Sequence, residues 1–212
     1  EDVSNEAFRF MDFRRMDLAS CPCMVNRISY TGDLGHEIWM EPCWQRKVYL
    51  AIKEAGEEFG IVDFGMRALL AMRLEKNFPT WFRELRPIYG GFEAGLDRFI
   101  DLKKNDFIGR AAAVAEKESG GSLRRVSMVV DAGDADVLGD EPIYHGGKVV
   151  GWVTSGGYGH FVDASLAQGY VPKELAQDLS EGAFEIEIIG ERRKATINPE
   201  PLFDPAGERM RG

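Results

Sequence analysis

The sequence predicts an α+β protein in which a segment of mixed helices and strands is followed by a module made only of strands. Apolar residues recur at helical spacing in the first half, and short stretches rich in β-branched residues, separated by turn signals, follow in the second. Residues 118–122 lie between the two parts and indicate a linker, because they are polar and rich in glycine and serine. We therefore expect two domains, residues 1–120 and residues 121–212, the second closing into a small Greek-key-like β-barrel.

A hairpin-like unit is predicted near the start of the chain. β-Branched and aromatic residues roughly alternate along residues 24–30, which predicts a strand, and residues 36–40 continue as a second strand. Residues 31–35 connect the two strands and contain two glycines, which suit a turn with positive φ. The polar groups of this unit are concentrated at its turn.

The other elements of the first domain follow from the spacing of the apolar residues. Val48, Ala51, Ile52 and Ala55 fall at helical spacing in the first predicted helix. Helices are predicted at residues 42–60 and 66–76, and an Ala-rich helix at residues 111–117. Between them, residues 78–91 are predicted to be irregular, and residues 92–102 are compatible with either strand or helix.

The second domain is predicted to consist of short strands. Gly146-Gly147 is a strong hairpin signal between two of them. The strands are predicted at residues 125–130, 142–144, 148–154, 164–170 and 183–189.

Composition and charge argue against several classes of function. The chain has 44% hydrophobic and 29% charged residues, which is ordinary for a soluble globular protein. Its 26 basic and 35 acidic residues give a net charge of −9, which argues against a sequence-independent nucleic-acid binder. No apolar stretch has the length needed to span a bilayer, so we expect neither nucleic acid nor a membrane among its partners.

The cysteines and histidines predict neither a metal site nor a disulfide framework. The cysteines are Cys21, Cys23 and Cys43, an odd number without metal-ligand spacing, and the histidines are scattered. Reduced thiols fit a cytosolic or mitochondrial-matrix setting, and we expect a cytoplasmic protein. The sequence begins at Glu1, without a Met or a secretory signal, so we expect a processed chain or an excised fragment.

A candidate ligand site lies at the turn of the predicted hairpin. If its strands pair, Tyr30 and Glu37 both lie near the hairpin end. An aromatic face beside a carboxylate suits a flat heterocycle with an amino group and a ring N–H, because the ring stacks and the carboxylate accepts two parallel donors. From spacing alone, the favoured interpretation is a half-buried tyrosine and a solvated carboxylate. The sequence contains no phosphate-binding P-loop, dinucleotide-binding glycine motif or serine nucleophile elbow.

Several motifs resemble those of the aminomethyltransferase family, the T-protein of the glycine cleavage system. Residues 27–38 read Arg-Ile-Ser-Tyr-Thr-Gly-Asp-Leu-Gly-His-Glu-Ile and resemble its Tyr-Thr-Gly-x-x-Gly-x-Glu motif. Further matches follow in family order at residues 72–76, 92–96, 106–110, 150–158 and 166–172. Residues 75–81 and 199–202 resemble more closely the folate domain of dimethylglycine and sarcosine dehydrogenases. The resemblance implies the C-terminal portion of the folate-binding aminomethyltransferase fold, followed by the β-barrel.

The resemblance also implies a function. The chain would be the tetrahydrofolate-binding part of an enzyme that transfers a one-carbon unit from an aminomethyl donor to give 5,10-methylenetetrahydrofolate. The donor would be dimethylglycine, sarcosine or an aminomethyl-lipoyl protein. Tyr30 would contact the pterin, and Glu37 would bind its amino-pyrimidine edge. The family's folate-binding arginine in the second helix aligns with Leu69, and Arg67 is the candidate replacement, although it lies about 200° away around a helix.

The front of the family's fold has no counterpart in this sequence. The N-terminal half, which carries the family's catalytic Asp, matches nothing here, so no catalytic residue is assigned and we expect the chain to be incomplete and inactive alone. The implied partners are folate, a methylated amine substrate, and the missing N-terminal half or a flavin domain. FAD is implied only for a separate oxidase domain outside this chain. The alternative is a non-catalytic folate-binding module or a protein-interaction module.

Overall fold

Packing divides residues 2–212, which the computed structural model describes, into two units. The first unit contains the residues up to Arg73 together with Asp204–Gly212, and the second contains Leu74–Phe203. The domain boundary predicted near residue 120 stays a prediction.

The first unit is built on an antiparallel sheet with β2 in its centre. Its strands are β1 (Phe13–Leu18), β2 (Cys21–Asn26) and β3 (Glu37–Met40). Alternate residues of β2 are buried on one face, as the two-residue period of a strand requires. These buried residues pack with Phe8, Met16 and Val48 into the core of this unit.

The predicted hairpin is present as the β2–β3 pair, but its strand boundaries differ from the prediction. The first strand was predicted to continue to Tyr30, whereas β2 ends at Asn26 and residues 27–36 form a loop. Strand β1 was not predicted at all. Its turn to β2 is Ala19-Ser20, both at positive φ (51° and 59°), a geometry that sequences usually signal with Asn-Gly or Asp-Gly.

The helices of the first half confirm the predictions made from apolar spacing. The stretch predicted as one helix over residues 42–60 forms helix α1 with a short 3₁₀ turn at each end, and the second predicted helix is α2. The bounds are Pro42–Trp44 and Glu57–Phe59 for the 3₁₀ turns, Gln45–Gly56 for α1 and Met66–Glu75 for α2. Val48 is the buried residue of α1, and it faces the core of the first unit.

The second unit consists of an irregular segment, a helix and a closed barrel. Helix α3 confirms the predicted Ala-rich helix, and the excursion predicted over residues 78–91 is irregular as expected. The segment at residues 92–102 is neither a strand nor an α-helix and contains only a 3₁₀ turn, Asp97–Phe99. The regular elements are α3 (Arg110–Ser119), β4 (Leu123–Val130), β5 (Pro142–His145), β6 (Lys148–Gly159), β7 (Ala164–Pro172), β8 (Phe184–Ile188) and β9 (Glu191–Ile197). In the first unit, a last short helix, α4, spans Glu208–Arg211.

The barrel closes in the strand order β4-β7-β6-β5-β8-β9, with β9 paired back to β4. β5, β6 and β7 form a meander, and β4 returns beside β7, which is the arrangement of a Greek key. Closure leaves no exposed sheet edge. The α+β class and the predicted small barrel are therefore confirmed. β9 was not predicted, because Glu191–Ile197 is rich in charged residues. Only Ala195 and Ile197 of this strand are buried in the core.

Close approach of β6 and β7 depends on glycine. A Cβ atom on Gly151 would lie 1.9 Å from the carbonyl oxygen of Tyr170, so no other residue fits there without backbone displacement. The barrel interior is filled by aliphatic and aromatic side chains, including Met128, Ile143 and Phe184.

Within residues 2–212, no helix combines the length and the apolar character needed to cross a bilayer. Over the same residues, no group of three or more His, Cys, Asp or Glu side chains is placed to hold a metal ion.

Candidate functional site

The predicted site residues Tyr30 and Glu37 lie in and beside the loop that connects β2 to β3. Glu37 is the first residue of β3, where it stands opposite Asn26, and it is half-buried. Tyr30 is half-buried within the loop and does not pair across the sheet, contrary to the predicted hairpin geometry. Arg67 lies exposed in the first turn of α2, and no hydrogen bond joins it to the loop among residues 2–212.

Side-chain hydroxyl groups fold the loop around Tyr30. Ser29 Oγ accepts a hydrogen bond from the Gly32 backbone N–H at 3.1 Å and lies 3.2 Å from Thr31 Oγ1. Thr31 Oγ1 also accepts a hydrogen bond from the Asp33 N–H at 3.4 Å. Serine and threonine commonly close turns in this way, in place of sheet hydrogen bonds. This explains why the strand stops before Tyr30.

A buried arginine fixes the base of the loop. The Arg27 side chain is fully buried and donates hydrogen bonds to the carbonyl oxygens of Phe8 and Arg211, the latter at 2.7 Å, and to Asn5 Oδ1. Its backbone N–H donates to the carbonyl of Asp12 at 2.9 Å. This role of Arg27 was not predicted from the sequence, although an arginine that directly follows a strand and opens the family motif was a usable signal.

Among the charged side chains in and beside this loop, Glu37 has a carboxylate without an ion pair among the described residues. Asp33 is paired with Arg209 at 3.2 Å. Desolvation, and then the positive charge of Arg27, lower the pKa of His36 from its ordinary value, so its imidazole is neutral at pH 7. The carboxylate of Glu37 forms no hydrogen bond or ion pair with any residue in the described range 2–212.

The second glycine of the motif keeps the two arms of the loop close together. A Cβ atom on Gly35 would lie 3.1 Å from the Ile28 carbonyl oxygen and 3.3 Å from Ser29 Cβ. Contacts this short require the neighbouring atoms to shift, so a side chain at this position would push the arms apart. The close approach of residue 35 to Ile28 and Ser29 therefore depends on this glycine.

Other residues of the family motifs serve the scaffold of the second unit. Glu75 Oε1 accepts a hydrogen bond from the Phe161 N–H at 2.8 Å and holds the turn between β6 and β7. Glu93 accepts hydrogen bonds from the backbone N–H groups of Ser122 and Leu123 at 2.8 and 3.0 Å. These carboxylates are occupied by the protein itself, unlike Glu37.

Two cavities lie away from the predicted site residues. One, of about 460 Å³, is in the first unit and is lined by Met40, Gln45, Arg46, Val48, Tyr49 and Ile52. Another, of about 220 Å³, is in the second unit and is lined by aromatic, aliphatic and glycine residues and by Arg86, all from its irregular segment. Neither is lined by Tyr30, Glu37 or Arg67.

A flat polar heterocycle is the kind of ligand whose groups match the chemistry of Tyr30 and Glu37. A carboxylate that is partly withdrawn from water needs donors, and the chain supplies none to Glu37. A ligand edge with two parallel N–H groups would satisfy both of its oxygens, while the ring of Tyr30 offers an aromatic face.

Two family models match the sequence in the order of the described elements. The GCVT N-terminal domain matches residues 1–104, and the glycine cleavage T-protein C-terminal barrel domain matches residues 124–204. The second match contains the closed barrel almost in full.

Similar proteins include both dehydrogenases and an aminomethyltransferase. Mitochondrial dimethylglycine dehydrogenase from Mus musculus is 40% identical over 213 residues, which cover 99% of this chain and 24% of that protein. Mitochondrial sarcosine dehydrogenase from Mus musculus is 30% identical over 217 residues, covering 100% and 24%. The aminomethyltransferase of Desulfitobacterium hafniense is 31% identical over 196 residues, covering 92% and 53%. The chain thus spans about a quarter of the dehydrogenases and about half of the aminomethyltransferase.

A solved structure shares the fold. The glycine cleavage system aminomethyltransferase T from Bartonella henselae superposes with a TM-score of 0.82 at 22% identity, over 93% of this chain and 53% of that one. The motifs, the barrel, the two family models and the similar proteins agree, and the chain belongs to the aminomethyltransferase family of the glycine cleavage T-protein.

Proposed function

We propose that this chain is the tetrahydrofolate-binding part of an enzyme that transfers a one-carbon unit from an aminomethyl donor to give 5,10-methylenetetrahydrofolate. Tyr30 contacts the pterin ring, and Glu37 accepts hydrogen bonds from its amino-pyrimidine edge. Family membership supports the reaction class. Similarity to dimethylglycine and sarcosine dehydrogenases favours a methylated amine as the donor, and an aminomethyl-lipoyl protein is the other candidate.

The observation that carries this proposal is the half-buried carboxylate of Glu37, to which no described residue donates. The pterin edge presents an amino group beside a ring N–H, which are the two parallel donors that such a carboxylate accepts. The loop is already fixed by Arg27, Ser29 and Thr31, so little conformational entropy is lost on binding.

Arg67 is our candidate for contact with the folate tail. It is an exposed cation without an ion pair among the described residues, and the tail ends in carboxylates. It replaces the family arginine that is absent at Leu69.

Turnover, in this proposal, requires more of the protein than these 212 residues. We assign no catalytic residue to this chain, which is inactive alone and acts with the N-terminal half of the fold or with a flavin domain that holds FAD. The gap between the two family matches, residues 105–123, supports a domain boundary near residue 120. The cysteines are unpaired thiols, which supports a reducing compartment such as the cytoplasm.

Calorimetric titration with tetrahydrofolate tests the proposal, on this chain and on the longer enzyme that contains it. Glu37→Gln should weaken binding by about 1.5–3 kcal/mol, the value of a hydrogen bond to a charged group. This corresponds to roughly 10- to 150-fold. Glu41→Gln is the matched control, because Glu41 is an exposed carboxylate immediately after β3, and it should leave the affinity unchanged.

Two outcomes would contradict the proposal. Equal affinity of the Glu37→Gln variant and the wild type would remove Glu37 from the site. Absence of tetrahydrofolate binding by both the chain and the longer enzyme would favour the alternative of a protein-interaction module.

A further inference from the structure

Two large aromatic side chains stand side by side on the surface of the second unit. Trp81 and Phe82 are 68% and 75% exposed, and their rings meet edge to face with centroids 5.7 Å apart. Ile88, in the same irregular segment, is 63% exposed. Single exposed apolar residues are ordinary, but a contiguous group marks an interaction site.

The backbone of Phe82, one of the two exposed aromatic residues, has a strained φ angle. Its φ is 63°, in the left-handed region that a bulky side chain rarely adopts and that glycine adopts freely. Strained backbone persists where the surrounding structure enforces it, and it is concentrated at functional sites.

A buried carboxylate enforces this conformation. Glu84 is fully buried and accepts hydrogen bonds from the Thr80 N–H at 2.8 Å and from the Thr154 hydroxyl at 2.6 Å. The Tyr170 hydroxyl donates to the Glu84 carbonyl oxygen at 2.8 Å. The residues on either side of Trp81 and Phe82 are thereby fastened to strands β6 and β7, so the two rings are held outward by the barrel.

Beside the two rings lies a preformed apolar groove of about 220 Å³, which we call the Trp81 groove. It is lined by Trp81, Phe82 and Tyr89, and its walls are completed by Arg86 and by leucine, proline, glycine and alanine residues. Tyr89 is immobilised by stacking on Tyr170 at 3.6 Å between centroids and by a 3.1 Å hydrogen bond from the indole N–H of Trp152.

The size of the groove favours a side chain of a protein as its occupant. Sites for small-molecule ligands usually measure about 300–1,000 Å³, so this groove is small for a whole ligand. Exposed Trp and Phe flank it, and Arg86 forms one wall. Aromatic residues and arginine around a pocket that receives one anchoring side chain are typical of protein–protein interfaces.

The charge next to the groove favours an acidic segment. Arg86, which lines the groove, is exposed and forms no ion pair with any residue from 2 to 212. This unpaired cation stands out against a net charge of −9 for the chain. Two copies that each carry −9 repel one another, so a second copy is the less favoured occupant.

We propose that the Trp81 groove is a docking site for a partner protein, which inserts one bulky apolar side chain flanked by carboxylates that pair with Arg86. The apolar anchor fills the groove against Trp81 and Phe82. The argument for this docking site does not rest on the proposed folate site.

Titration with short acetylated, amidated peptides tests the proposal on the 212-residue chain and on the longer enzyme that contains it, with tryptophan emission and calorimetry as readouts. The peptide Glu-Glu-Phe-Glu-Glu should bind to both at least tenfold more tightly than Lys-Lys-Phe-Lys-Lys, which reverses the charge, and Glu-Glu-Ala-Glu-Glu, which lacks the anchor. Equal affinities of the three peptides, no binding by any of them, or binding to the chain but not to the longer enzyme would overturn the proposal.

Substitution of Phe82 separates a binding role from a structural one. Phe82→Gly should weaken binding of the acidic Phe peptide at least tenfold while the Tm is unchanged or higher, because glycine accepts the positive φ. Ile189→Gly is the matched control: Ile189 is another exposed apolar residue at positive φ (51°), in the turn between β8 and β9, and its replacement should not change binding. Wild-type affinity of Phe82→Gly would refute the role of this ring.

Charge and the identity of the occupant are tested in the same assay. Arg86→Gln should reduce affinity about tenfold and weaken its dependence on salt, whereas Arg192→Gln, which alters an exposed arginine on β9, should do neither. Self-association in sedimentation velocity that Phe82→Gly abolishes would identify a second copy as the occupant and overturn the assignment. Phenylacetate binding as tightly as the peptide would instead indicate a small-molecule site and would also overturn it. Unchanged tetrahydrofolate binding in Phe82→Gly confirms that the two sites are independent.

Discussion

Replacement of Glu93 by glutamine tests the claim that this motif carboxylate is a structural clamp. Glu93 lies in the irregular segment before α3, and its Oε1 accepts hydrogen bonds from the Ser122 N–H at 2.8 Å, the Ser122 hydroxyl at 3.2 Å and the Leu123 N–H at 3.0 Å. Its Oε2 accepts one from the Gly90 N–H at 3.2 Å. One side chain therefore joins the start of β4 to a segment about 30 residues earlier.

The expected loss of stability follows from which of these bonds a glutamine keeps. Its amide oxygen can still face Ser122 and Leu123, but the amide nitrogen cannot accept from Gly90, and the negative charge is lost. Hydrogen bonds to a charged group are each worth about 1.5–3 kcal/mol. Because Glu93 is only half-buried, we take a value near the lower end, about 2 kcal/mol. For a chain of this size that lowers the Tm by about 4–8 °C.

The dependence of the stability difference on pH is a second, independent test of this prediction. Burial alone would raise the pKa of Glu93, but the N–H groups of Ser122, Leu123 and Gly90 outweigh it, so its pKa is lowered from 4.5. A lowered folded-state pKa means that the contribution is fully present above pH 4.5 and is lost as the pH falls through the folded-state pKa. The stability difference between wild type and Glu93→Gln should therefore be constant from pH 6 to 7 and shrink below about pH 4.5.

Urea denaturation followed by circular dichroism, repeated across this pH range, measures the difference. Glu118→Gln is the matched control, since Glu118 is exposed at the end of α3 and forms no hydrogen bond or ion pair within residues 2–212. A Glu93→Gln variant as stable as this control at pH 7 would refute the clamp. A difference that grew as the pH fell would show that the sign of the pKa shift is wrong.

Three further predictions concern the barrel, the loop anchor and the ligand carboxylate. Gly151→Ala should destabilise the protein by more than about 3 kcal/mol in urea denaturation. The new methyl group would lie 1.9 Å from the Tyr170 carbonyl oxygen, and relieving this clash requires a shift of the backbone. A cost below about 1 kcal/mol would contradict this packing. Arg27→Met should cost about 3 kcal/mol in the same assay, since the carbonyl oxygens it served are left buried without a donor, and a neutral effect would show that the loop is anchored otherwise. Glu37→Gln should leave the free energy of unfolding within about 0.5 kcal/mol of wild type, because no described residue pairs with Glu37; a larger loss would show a structural role.

The helices and most barrel strands could be predicted because their signals are local. Apolar spacing over residues 42–60 and the Gly146-Gly147 turn each specify one structure within a few residues. β1 and β9 could not be predicted in this way. The turn before β2 adopts positive φ at Ala19 and Ser20 without the usual residues, and β9 forms because closure of the barrel supplies hydrogen-bond partners on both sides of a charged segment.

The candidate site was predictable only as far as the identity of its residues. Spacing placed Tyr30 and Glu37 near one turn, but it also placed Tyr30 in a strand, where the structure has a loop closed by hydroxyl groups. The role of Arg27 depends on the carbonyl of Arg211, which is far away in the sequence, and no local sequence pattern predicts that contact.

Three glutamates of the family motifs differ in whether the protein itself donates hydrogen bonds to their carboxylates. Glu75, Glu93 and Glu37 all belong to motifs shared with the family, and a sequence treats them alike. In the structure, backbone N–H groups occupy the first two, which can therefore offer little to a ligand without breaking the fold. Glu37 has the same chemistry, yet within residues 2–212 its oxygens accept nothing. A half-buried carboxylate that accepts nothing from the protein can accept hydrogen bonds from a ligand, and on this ground we propose a binding role for Glu37 and a scaffolding role for the other two.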